Sequence, residues 1–261
     1  MRLLWSLLLC SALPILAMLA AEPFTGTWKA DVSKGKFSPK PDKIELANGT
    51  YKCSTCDPPI SVKADGTDQS VSGHPAYDTM SVHIIDDHNI EVVAKKAGTV
   101  VFDEKTTVAA DGMTATKEFT RHPQSSDKPV TGTVILKRAG KSMAGMHAVS
   151  GAWVEEKTQN ISENDLLVTF EETADVLKMS QPTGRHFDAK LDGKDYSFEG
   201  AAEVNKVVVK RIGPRVIEEI DKRDEKVEST ERMTVSPDGH TMTIVVKDRQ
   251  GGVSTFVWNK Q

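Results

Sequence analysis

Chemistry in this chain could begin at Cys53-Ser54-Thr55-Cys56. Two cysteines three apart can close a small disulfide, act as a redox pair, or supply half of a metal site. Asp57 stands where haem attachment requires histidine, and no second cysteine pair completes a zinc site. A structural disulfide is the leading expectation, with redox and metal roles as alternatives. Met143, Met146 and His147 offer thioether and imidazole ligands that would suit copper, with the two cysteines assisting. Methionines as gap fillers are the plainer reading, so no metal is expected. The run from His83 to His88 is also rich in ligand types, but Asp86-Asp87-His88-Asn89 has the chemistry of a turn. No Gly-x-Ser-x-Gly elbow, His-Glu-x-x-His or phosphate-cradling glycine loop is present. Catalytic residues are therefore none by motif, leaving only carboxylate pairs that would meet in space.

These residues sit within an internal repeat. Lys63, Asp65, Gly66, Asp68, Ser70 and Gly73 recur as Lys190, Asp192, Gly193, Asp195, Ser197 and Gly200, each displaced by 127. The register holds to Thr116 and Thr243, giving 19 identities over the 58 positions from 63 to 120. Unrelated sequences would share about three or four. Cysteine occurs only in the first copy after residue 21, so that motif is not intrinsic to the repeated unit.

Each unit reads as β. Copy one has short Val/Ile/Thr-rich runs at 44–46, 60–62, 80–85, 90–93, 100–102, 106–108, 114–119 and 130–136, separated by Asn-Gly, Asp-Gly and Ala-Gly turns. The stretch 216–231 would also suit a charged helix. Its counterpart 89–104 reads as a hairpin, so a long charged hairpin turning near Asp224-Glu225 is expected. About eight antiparallel strands per copy would leave exposed edges, and closure into an up-and-down barrel removes them. The predicted architecture is all-β: two tandem barrels spanning 22–140 and 141–261, simpler than one large barrel.

Residues 1–21 read as a secretory signal: Arg2, an apolar run from Leu3, and small residues before Glu22. A secreted or periplasmic location follows as an expectation, with no transmembrane segment after cleavage. Without Arg2 the chain carries 32 basic and 37 acidic residues, interleaved through both copies, which argues against nucleic acid as a partner. Three tyrosines and four tryptophans, one of them in the leader, are few for a carbohydrate platform.

Gly26-Thr27-Trp28 opens the first copy and Gly151-Ala152-Trp153 the second. A Gly-x-Trp followed by a β meander resembles the lipocalin/calycin superfamily. In that family the tryptophan closes one barrel end beneath a basic side chain from near the last strand. The resemblance pairs Trp28 with Arg138 and Trp153 with Lys260. More narrowly, Gly26 to Phe37 and Asp192 to Tyr196 are similar to a group of exported bacterial proteins, abundant in acidobacteria, that carry no assigned activity. The resemblance implies a small hydrophobic ligand inside each barrel and no cofactor. Strand phase then nominates Val82, Ile84, Val100 and Phe102 in copy one and Val207 and Val209 in copy two as lining residues. The alternatives are an envelope interaction module with filled barrels, its protein partner unspecified, and metal handling.

Overall fold

The computed structural model describes residues 22–261 and is almost wholly antiparallel sheet. The leader expectation lies outside the described residues. The strands of the first copy are β1 (Gly26–Ala30), β2 (Asp42–Ala47), β3 (Thr50–Cys53), β4 (Ile60–Lys63), β5 (Gln69–Ser70), β6 (Thr79–Asp86), β7 (Asn89–Lys96), β8 (Thr99–Val108), β9 (Thr114–Arg121) and β10 (Val130–Arg138). Those of the second are β11 (Gly151–Gln159), β12 (Leu167–Glu172), β13 (Val176–Ser180), β14 (His186–Lys190), β15 (Asp192–Glu199), β16 (Lys206–Gly213), β17 (Val216–Arg223), β18 (Lys226–Val235), β19 (Thr241–Asp248) and β20 (Val253–Lys260). The repeat register is kept in space: β6 to β9 recur as β16 to β19 with every boundary displaced by 127 residues.

Each sheet has ten strands rather than about eight. β3 escapes a hydrophobicity reading because polar residues alternate with Tyr51 and Cys53, and β5 is only two residues long. The runs 100–102 and 106–108 are one strand, β8, whose charged middle stays in the ladder. The stretch 216–231 forms the hairpin β17–β18, with Arg223 opposite Lys226 and Asp224 at positive φ in the turn.

The two copies exchange a strand. One sheet is a closed barrel made of β12 to β20 with β1 inserted between β20 and β12. The other runs β4-β3-β2-β11-β10-β9-β8-β7-β6-β5, so β11 sits between β2 and β10. It curls until the chain after β4 meets β6 at an Asp65–His83 bridge. Each barrel therefore carries the other copy's Gly-x-Trp strand. The segment after β1 stays on the second barrel, with Lys36 bridging Thr255, before returning to β2.

The tryptophan pairing expected within each copy is corrected accordingly. Arg138 lies over Trp153, its guanidinium carbon 4.1 Å from the ring centroid, and Lys260 lies over Trp28 at 5.2 Å. Both indoles are buried and donate to the carbonyl four residues earlier, Trp28 to Phe24 and Trp153 to Val149. The glycines are there for the cations. Gly26 and Gly151 have φ of +128° and +150°, and a Cβ on either would collide with Lys260 or Arg138.

Cys53 and Cys56 form a disulfide at the end of β3, and the Cys56 amide lies 3.0 Å from Cys53 Sγ. A loop this short constrains the unfolded chain weakly. Replacing both cysteines with serine is expected to cost about 2 kcal/mol, read as a shift in the urea midpoint of the first barrel.

Candidate functional site

The closed barrel has an unusual interior. On β17, Ile217, Glu219 and Asp221 alternate inward, and on β18 Met233, Glu231 and Ser229 lie opposite them in register. Glu219 and Asp221 are buried, Glu231 half-buried. Two glutamates facing each other across a ladder repel, and burial withdraws their solvation. Burial first, then the charges of Asp221 and Glu231, raise Glu219 well above its usual value. Burial and the Asp221 charge push Glu231 up to about 7. Asp221 is also raised by burial, against a hydrogen bond donated by the Ser229 hydroxyl at 3.2 Å.

These carboxylates line a cavity of about 240 Å³ walled by Phe170, Met179, Phe198, Met233 and Trp258, with Arg185 at its margin. The Arg185 charge favours the ionised forms of Asp221 and Glu231. Two buried polar atoms of this wall, Asp221 Oδ1 and Trp258 Nε1, have no hydrogen-bond partner.

The first barrel solves the same position differently. Glu104 is the counterpart of Glu231, but Lys117 pairs with it at 3.1 Å. Burial opposes the charge on Lys117, yet Glu104 and Tyr51 hold it above the ordinary lysine value. Burial raises the Tyr51 hydroxyl to about 12. The counterparts of Glu219, Asp221 and Ser229 are Val92, Ala94 and Phe102, and that of Lys117 is Ile244. The second barrel thus has two acids where the first has valine and alanine, and isoleucine where the first has lysine.

A larger cleft, about 520 Å³, lies between the barrels. Tyr77, Phe102 and Arg121 come from one side, Arg185 and Ala201 from the other. Ser125 also lines it, its hydroxyl donating to the Thr183 carbonyl at 2.8 Å. Tyr77 stacks on His74 with centroids 4.7 Å apart, Phe102 stacks on Phe119, and Arg121 is held by Asp165 at 2.6 Å. Arg185 belongs to the walls of both the cleft and the barrel cavity.

Of the residues nominated from strand phase, Val82, Val207 and Val209 are fully buried in the two cores, and Ile84 packs against the first core. Val100 is half-buried on β8, and Phe102 faces the cleft. Met143 is exposed. Both His147 nitrogens are engaged, Nε2 with the Asp86 carbonyl at 2.7 Å and Nδ1 with the Val149 amide. Among the described residues no three His, Cys, Asp or Glu side chains group closely enough to hold a metal ion. Asp86 serves its turn, accepting from the His88 amide and the Asn89 side chain.

The acid cluster was hidden in a stretch read as charged hairpin surface. Its signal was phase: Glu219 and Asp221 fall in step with buried Ile217, where copy one has valine and alanine. No protein-family model and no curated protein sequence matches the chain. No helix among the described residues is long and apolar enough to cross a membrane.

Proposed function

We propose that this is an exported, lipocalin-like binding protein that holds a small amphipathic molecule, without catalysis. The carrying observation is the cleft. Its volume of about 520 Å³ falls in the range of small-molecule sites, and Tyr77 and Phe102 line it together with Arg121, which Asp165 pairs, Arg185 and Glu203. Such a lining suits an apolar body with an anionic end. The tryptophan–cation closures at Trp28 and Trp153 support the lipocalin-like reading. For the first barrel a filled interior is the better account, because Lys117 and Glu104 neutralise each other beside the buried Tyr51.

The test is native mass spectrometry of protein purified from its own host, before and after denaturation. A bound mass released on unfolding identifies the cargo, whereas a bare mass counts against a carrier. With 1-anilinonaphthalene-8-sulfonate as probe, Phe102→Ala is expected to weaken binding roughly tenfold, about 1.4 kcal/mol. Unchanged titration of that variant would remove the cleft from the account.

A further inference from the structure

We propose that the interior of the closed barrel is a second site, separate from the cleft, that binds a small organic ammonium ion between Glu219, Asp221 and Glu231. The internal repeat carries the argument. The position shared by Glu104 and Glu231 is neutralised in the first barrel by the ammonium of Lys117, at 3.1 Å. In the second barrel Ile244 occupies the lysine's place, while Glu219 and Asp221 add two further acids. A ligand ammonium there performs the office of the missing lysine side chain.

Independent features of the cavity agree. Asp221 is only 9% exposed, and its Oδ1 lies in the cavity wall with no donor except the neighbouring Glu219 carboxyl when that group is protonated. Phe198, Phe256 and Trp258 supply aromatic faces, which attract organic cations. A bare metal ion fits less well, since these three carboxylates do not converge to coordinating distance. An anion would meet three carboxyl groups and a single cation, Arg185.

The groups facing the site are Glu219 and Asp221 from β17, Glu231 and Ser229 from β18, Arg185 from the turn before β14, and neutral Ile244, Val246 and Trp258 from β19 and β20. Three acids against one guanidinium mean that an ammonium ion binds with displacement of protons. Affinity should therefore rise with pH.

Calorimetric titration of the full mature chain with ammonium, methylammonium and phenethylammonium tests this, with 2-phenylethanol as the neutral isostere. At about pH 8 at least one ammonium should bind one to one and at least about tenfold tighter than the alcohol. Affinity should fall at about pH 5.5, where the cluster holds its protons. Phe102→Ala should leave it unchanged, which separates this site from the cleft. Ile244→Lys, which plants the first barrel's lysine, should abolish binding in a folded protein. The triple variant Glu219→Gln, Asp221→Asn, Glu231→Gln should weaken it at least about tenfold. The proposal is overturned if none of the three cations binds the folded wild type at about 10 mM, if the alcohol binds equally well, or if Ile244→Lys binds as the wild type does.

Discussion

Trp28→Ala is expected to open the barrel built from the second copy while leaving the barrel of its own copy intact. Trp28 is fully buried among Phe24, Val168 and Phe170, and its strand is hydrogen-bonded to β12 on one side and β20 on the other. Truncating a buried tryptophan costs about 3–5 kcal/mol. Here the loss includes the support beneath Lys260 and the seam that closes the sheet. Trp153→Ala should do the reciprocal damage, between β2 and β10. There Arg138 would keep its bonds to the Ser150 and Ala148 carbonyls, both 2.6 Å, but lose the indole it stacks on. Hydrogen exchange read by peptide decides the matter. In Trp28→Ala, protection should fall over 167–260 and persist over 42–138; the opposite pattern would mean that each copy closes on itself.

The second large effect is a stability that declines as the solution is made less acidic. Below about pH 4.5 the Glu231 carboxyl is protonated in both folded and unfolded chains and contributes nothing. Between 4.5 and about 7 the unfolded chain releases the proton and the folded barrel retains it, so folding is progressively disfavoured. Across that interval the loss is on the order of 3 kcal/mol, at about 1.4 kcal/mol per pKa unit. Glu219 and Asp221, raised in the same sense, steepen it. Urea midpoints at about pH 5 and pH 8 measure this slope. Glu231→Gln keeps the volume and removes the titration, so its slope should be shallower by most of that amount. Parallel slopes for variant and wild type would show that Glu231 titrates normally.

Much of the scaffold was legible because the repeat imposed its own check. A hairpin at 216–231 could be chosen over a helix by reading Asn89 to Glu104, and the structure turns at Asp224 as that comparison implied. Gly-x-Trp marked strands with a special environment, since only glycine lets a cation pass so close to the backbone. What could not be read was ownership: β1 and β11 carry equivalent signals, so nothing local says which barrel each completes. The cluster was missed for a related reason. In β17, Glu218 through Lys222 looks like a solvated face, and only the inward phase of Glu219 and Asp221 reveals the interior. The cleft depends on Tyr77, Arg121 and Arg185 meeting across barrels, which no spacing within one copy encodes.

The strand exchange also orders events in time. The first barrel needs only residues 42 to 159 and can be complete while the rest of the chain is still being made. The second must wait for β20, because β1, which precedes every strand of the first barrel, is held by Lys260 and by the Gln261 amide bonded to the Thr27 carbonyl at 2.9 Å. Contacts of such long sequence separation form slowly, although prior folding of the first barrel shortens the path that β1 must search. The strands β1 and β20 are thus one late-forming seam, and a chain lacking either strand should stall with one barrel built and the other open.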